Sequence, residues 1–309
     1  MICKYCSSTR VVKNGKVRGK QQYLCKVCGH QFIEGSDFPK MRVESRIIST
    51  ALDLYFEGLS VRKVQRQIGR IFGVKVSQVT IWKWIMKYSK LVYDSMIWLT
   101  PKLSGEWHVD ETAIKCRGIQ KWFWEVIDEK TKFLVSSHLS GARTAEDVTV
   151  LFVRAMAVAK KRPKAIYVDG LQAYEKGFKK VFYSRYKHRR VQLVKRVGIR
   201  SRVTNNIVER LHGTLKDRTK VSRGLKGSDT VKVLLEGWTV HYNFVRLHQS
   251  LNGRTPAQAS GIEVENDWHE LIKMATENKT QREIAYRRSI TNKNEIELTE
   301  DLTSMVVMR

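Results

Sequence analysis

The sequence has no apolar run long enough to cross a membrane. Its longest, Val148 to Ala159, is short and is broken by Arg154. The first residues show no basic-then-apolar leader pattern, so export is not expected. Cysteine is scarce. Five in 309 residues are too few for a disulfide scaffold, and four of them fall within the first 28 positions. The expected setting is therefore a reducing cytoplasm. Acids are the third shortage: 30 Asp and Glu face 57 Lys and Arg, a net charge of +27. A surplus of that size calls for a polyanionic partner, and with no membrane pattern the choice falls on nucleic acid. A hydrophobic content of 42% excludes a disordered basic tail, and the length predicts two or three domains.

The charge is unevenly spread. From Gly170 to Lys226, 17 Lys and Arg face only Glu175, Glu209 and Asp217, whereas residues 262–309 hold ten acids and seven bases. A basic band beside a near-neutral tail predicts a phosphate-binding face, and the heavy use of arginine suits the oxygens of a phosphate. The alternative is a solvated basic surface of the kind found in heat-adapted proteins.

Residues 1–38 read as a zinc ribbon. Cys3 and Cys6, then Cys25 and Cys28, form two C-x-x-C pairs whose four thiolates can close a tetrahedron around one structural Zn²⁺. Val11–Val12 and Gln21–Leu24 are strand candidates, with Asn14-Gly15 as the expected hairpin turn. So short a segment needs the metal to fold. A thiol-disulfide exchanger would need one pair within a βαβ unit, which is not the pattern here.

Residues 39–100 read as a small all-α helix-turn-helix domain. A helix over about 41–57 carries Ile47, Ile48, Ala51, Leu52, Leu54 and Tyr55 at helical spacing and ends at Gly58. Ser60 caps a second helix that stops at Gly73. Ser77 caps a third, Gln78 to Tyr88, burying Ile81, Trp84 or Ile85, and Tyr88. On this third helix Gln78, Thr80 and Lys83 would face the DNA groove. A plain helical bundle is the alternative.

From residue 101 to 261 the order is β-β-β-α-β-α-β-α, a mixed α/β sheet. Asp110 sits in the first strand, Asp169 ends the fourth, and Glu209 lies one turn into the helix that begins near Asn206. In this order the first and fourth strands are neighbours, so the three carboxylates can converge. Clustered acids repel unless cations neutralise them, and two Mg²⁺ about 4 Å apart would do so. Each acid has a structural alternative. Asp169-Gly170 could be a turn, Glu209 could close a capping box with Asn206, and Glu111 or Asp128 could replace Asp110.

Asp110-Glu111-Thr112, then Asp169-Gly170 with Ala173-Tyr174, resemble the DDE transposases of prokaryotic insertion sequences. So does the run Asn206-Ile207-Val208-Glu209-Arg210-Leu211-His212. A fourth motif, Tyr242-Asn243, Arg246 to Leu251 and Gly253 to Pro256, completes a likeness that spans about residues 106–261. The resemblance implies an RNase H-like core related to retroviral integrases. It implies Asp110, Asp169 and Glu209 as catalytic acids that bind Mg²⁺ or Mn²⁺, and metal-dependent DNA cleavage and strand transfer. Lys216 matches the family's basic residue, and Arg210 and His212 are further expected DNA contacts. The interval from Asp169 to Glu209 is slightly longer than usual for the family, and many relatives lack a zinc ribbon.

The implied activity is DNA transposition, with double-stranded DNA ends and target as partners. Two ends must be joined, so a homodimer or larger assembly at the nucleoid is expected. Two other readings use only part of the sequence: a zinc-ribbon transcription regulator without the acid triad, and a structure-specific RNase H-like nuclease without an end-reading module. The helix expected from about Ser228 to Ser250 and a tail at 262–309, helical in part, complete the layout.

Overall fold

The computed structural model describes the chain except residues 18, 34–36, 97, 196–205, 222–226 and 287–309. The described residues fall into two compact units, one drawn from 1–46 with 272–286 and the other from 47–271.

In the first unit, β1 (Val11–Val17), β2 (Lys20–Cys25) and β3 (Gln31–Ile33) make an antiparallel sheet in that order. The turn is not at Asn14-Gly15. β1 runs on to Val17, which pairs with Lys20, and the ladder shifts register between Lys13 and Lys16. Asn14-Gly15 is a bulge, and Gly15, at φ 71°, supplies the left-handed backbone it needs. Cys3, Tyr5, Cys25, Cys28 and Phe32 form a small core on which Ile284 packs, from a helix covering 268–286.

In the second unit α1 (Ser45–Phe56), α2 (Val61–Phe72) and α3 (Gln78–Met96) follow the expected caps. The Ser60 side chain accepts from the Lys63 amide, and Gly73 closes α2 at φ 68°. α3 outruns its expected end at Tyr88 because Val92, Ser95 and Met96 continue the buried stripe against α7 (Ser228–Val240). Both Trp84 and Ile85 are buried.

The main sheet has the order β6-β5-β4-β7-β8, built from β4 (Glu106–Cys116), β5 (Ile119–Asp128), β6 (Leu134–Ser140), β7 (Ala165–Val168) and β8 (Gln192–Lys195). The first three strands form an antiparallel meander, and β7 and β8 run parallel to β4. This is the mixed α/β sheet that the order of elements called for. α4 (Ala145–Ala159) and α5 (Gln172–Phe182) cover one face, where Trp124 meets Tyr174, and α7 covers the other, where Phe123 meets Trp238. α6 (Asn206–Lys220) lies against β4.

The helix expected to run from Ser228 to Ser250 is α-helical only to Val240, and a π-turn covers His241–Val245. That wider turn carries Asn243, which accepts from the Leu134 amide and donates to its carbonyl at the start of β6. A 3-10 turn and α8 (Pro256–Ala259) follow. Among the described residues no helix is long and apolar enough to cross a membrane.

Candidate active site and metal centres

The parallel ladder between β4 and β7 fixes the central geometry. Its pairs run Glu106↔Ala165, Trp107↔Ile166 and His108↔Tyr167. Two positions further along both strands stand Asp110 and Asp169. β7 ends at Val168, whereas β4 stays paired with β5 as far as Cys116. The edge of β4 beyond that point is therefore open on the β7 side, and the acids meet in this notch. Oxygens of Asp110, Glu111 and Asp169 lie within 4.8 Å of one another.

These acids differ in how they are held. Asp110 accepts from the Glu111 amide at 2.9 Å. Burial pushes its carboxyl up to about 6, aided by the neighbouring Glu111 and Asp169 charges, while His212 and the amide bond pull the other way. Asp169 accepts from the Leu171 amide at 2.9 Å, so the tight turn is present as well as the acid. Glu111 turns to the α5 face, where Arg143 pairs with it and the Tyr174 hydroxyl donates to it. The Arg143 guanidinium also lies 4.4 Å over Trp122. Burial, then the Glu111 charge and bond, push the Tyr174 phenol well up, so it remains a donor.

Asp128, the other alternative to Asp110, is buried and satisfied by Ser104 and Thr131 hydrogen bonds of 2.8 to 3.1 Å. Glu209 sits on α6 but is exposed and outside the 4.8 Å group. Arg210 and Lys216 on the same helix are exposed. His212 is not. It is 8% exposed, and its Nε2 lies 2.8 Å from Oε2 of the fully buried Glu125, the cross-strand partner of Asp110. The distance is that of an ion pair; full burial pushes the Glu125 carboxyl up, and His212 opposes that shift. Burial opposes charge on the imidazole, but Glu125 and then Asp110 outweigh it and raise its pKa. The inward face of His212 became readable only with its partner on β5. Arg218, part of the basic band, is also buried, 3.6 Å over the Tyr55 ring and donating to the Leu59 carbonyl at 3.3 Å.

On α3, Gln78 and Lys83 are exposed and Thr80 is half-buried. Gln78 donates to Gln65 at 3.2 Å, and Gln65 donates to the Val76 carbonyl at 2.8 Å, tying α3 to α2.

In the ribbon, the sulfurs of Cys3, Cys6, Cys25 and Cys28 lie within 4.8 Å of one another, with Cys3–Cys28 and Cys6–Cys25 both at 3.6 Å. Four sulfurs about 2.3 Å from one ion would stand roughly 3.8 Å apart, so the donor set fits tetrahedral zinc. Burial pushes the Cys6 thiol up to about 11 and Cys28 higher still. Burial would raise Cys25 too, but the Cys28 and Val27 amides and neighbouring thiols bring it down to about 7, so without an ion the cluster shares one thiolate and protons.

Residues 104–248 match a family model described as a DDE domain. A transposase for insertion sequence element IS257 in transposon Tn4003 of Staphylococcus aureus is 30% identical over 83 residues, 26% of this chain and 37% of that protein. The chain thus matches little more than a third of that relative's length. The HTLV-2 integrase catalytic core domain in complex with magnesium superposes with a TM-score of 0.39 at 15% identity, over 52% of this chain and 98% of that one. A simian T-cell lymphotropic virus intasome chain gives 0.38 at 17% identity, over 52% and 55%.

Proposed function

Starting from residues 104–248 as a DDE domain, we propose that the protein is an insertion-sequence transposase that cleaves the ends of its element and joins them to target DNA. The observation that carries this reading is the pair Asp110 and Asp169, set side by side in the notch between β4 and β7. Two half-buried carboxylates at such a distance repel, and a divalent cation is the economical way to hold both ionised. Mg²⁺ or Mn²⁺, two per site, would neutralise a phosphodiester and activate the attacking oxygen.

Asp110 and Asp169 serve as ligands, and Glu209 is assigned as the third on the motif it shares with the family. Glu111, engaged by Arg143 and Tyr174, serves as a structural neighbour. The chain's own contribution is to position DNA and offset its charge. Lys216 and Arg210 lie exposed on the helix of Glu209 and are assigned to the DNA backbone. Gln78, Thr80 and Lys83 are assigned to reading the element ends. His212 is assigned to Glu125 rather than to DNA.

The working division is a zinc ribbon at 1–38 with one structural Zn²⁺, a helix-turn-helix at 39–100, the catalytic core at 101–261 and a tail at 262–309. Joining two ends requires at least a dimer. The test uses duplex DNA taken from the two flanks of the reading frame. Asp110→Asn, Asp169→Asn and Glu209→Gln should each abolish Mg²⁺-dependent cleavage while binding survives, and Glu111→Gln should retain it. Cleavage that depends on Glu111 and not on Glu209 would reverse the assignment of the third acid. Parental cleavage by all three variants would end the reading.

A further inference from the structure

The connection from α5 to β8 carries Tyr183-Ser184-Arg185-Tyr186-Lys187-His188-Arg189-Arg190. Tyr183 is 72% exposed and Tyr186 is 65% exposed. The 3-10 turn at Lys187–Arg189 buries none of its residues, so the segment contributes little to the core. The Arg189 guanidinium lies 5.7 Å over the Tyr186 ring, and the His188 ring lies 5.8 Å from it. No acid occurs between Glu175 and Glu209. Two open phenol rings in a wholly basic setting suit a polyanion that also presents flat, unpaired ring faces.

The position of this patch separates it from the acids. β8 runs parallel to β7, with Ala165 opposite Gln192 and Val168 opposite Lys195. The connection therefore enters the sheet at the end where β7 begins, while Asp169 follows the end where β7 finishes. At about 3.3 Å per residue, a four-residue strand puts roughly 13 Å between the two ends.

We propose that Tyr183 and Tyr186, framed by Arg185, Lys187, Arg189 and Arg190, form a stacking platform for single-stranded DNA, separate from the catalytic notch. Duplex DNA keeps its bases stacked on one another and offers these rings no face. An unpaired strand offers both a base for each ring and phosphates for the flanking cations. An anionic membrane fits less well, since residues 183–190 carry no aliphatic or indole side chain to enter it and the neighbouring Phe182 is buried.

The inference goes beyond the catalytic reading, and its test involves no cleavage. The full chain is titrated with a fluorescein-labelled oligothymidylate of about 15 nucleotides, a duplex of equal length, and phosphatidylserine vesicles. The parent should bind the single strand. Tyr183→Ala/Tyr186→Ala should weaken that binding about tenfold or more and leave duplex affinity within about twofold, as expected for the loss of base stacking. Tyr183→Phe/Tyr186→Phe should bind like the parent, because the ring face is kept. Four results would each overturn the proposal: a parent that ignores the oligonucleotide, an Ala variant that loses single strand and duplex alike or neither, Phe variants that fail like Ala, or a tyrosine-dependent affinity for vesicles alone. Failure of the catalytic reading would instead appear as absent cleavage by a protein whose single-strand binding is intact.

Discussion

Asp110 is kept at the edge of ionisation by its surroundings. Burial favours the neutral acid, and its folded value of about 6 lies above the ordinary 3.8. The sign follows directly. Between these values the folded state takes up the proton more readily, so the charged form at pH 7 weakens the fold, and the penalty fades as pH falls through 6 toward 4. A ligating carboxylate must be ionised, so Mn²⁺ affinity, followed by calorimetry, should fall from pH 7 to pH 5 by about tenfold per unit once below 6. Asp110→Asn should lose metal binding and yet melt at a higher temperature than the parent at pH 7. A lower melting temperature would show that the charge is already compensated without metal. Glu125 and His212 behave differently because each is the other's main compensation. His212→Ala leaves a fully buried carboxylate unpaired and should cost about 3–5 kcal/mol in urea unfolding, whereas Glu125→Leu with His212→Phe should cost much less than the two single changes added together. Asp110 drew notice in the sequence as an acid within a strand and Asp169 as one just after a short buried strand, whereas Glu111, an alternative there, shares the notch and Glu209 stands outside it. The inward turn of His212 was not legible, since one imidazole among basic residues gives no sign of its side until the opposing carboxylate is placed.

Among the elements, caps and stripes carried well from sequence to structure. Ser60 and Gly73 bound α2 as expected, and Ile81, Ile85 and Tyr88 lie on the buried face of α3 as expected. What failed depended on partners distant in the chain. α3 extends to Met96 because α7 gives its second half something to bury, and Asn14-Gly15 bulges because β2 supplies a register that a local turn signal does not contain. Close packing of helices was equally hidden. A Cβ at Gly237 on α7 would stand 2.5 Å from the Phe56 ring and nearer still to the Ser89 hydroxyl on α3. Gly237→Ala should therefore force the helices apart and cost about 1–3 kcal/mol as overpacking does. Gly213, on the exposed side of α6, meets nothing within 4 Å. Gly213→Ala should stabilise by up to about 1 kcal/mol through helix propensity. Denaturant midpoints of the two variants should move in opposite directions, and a shared direction would contradict this account of α7 packing.

For the whole molecule, the charge of +27 divides between structure and binding. Arg218 is spent on Tyr55 and Leu59, and Arg143 on Glu111, so neither is free to release counterions. The exposed Arg210 and Lys216 on α6 and Lys83 on α3 are. Affinity for duplex DNA should then fall steeply with salt, with a log–log slope near −0.9 per phosphate neutralised. Lys216→Ala should make the slope shallower by about one, and Arg218→Ala should leave it unchanged while lowering the melting temperature. The ribbon should respond to a separate treatment. Its core is small and consists largely of the four cysteines with Tyr5 and Phe32, so without metal it has little to hold it. Stripping zinc with a chelator should unfold the ribbon. The transition of the 47–271 unit, which has its own sheet and helical layers, should persist near its original temperature. Calorimetry with and without chelator, alongside zinc content, tests this directly. A metal-free protein whose melting profile matched the parent's would mean that Tyr5, Phe32 and Ile284 hold the ribbon unaided, and that the four thiols serve some purpose other than folding.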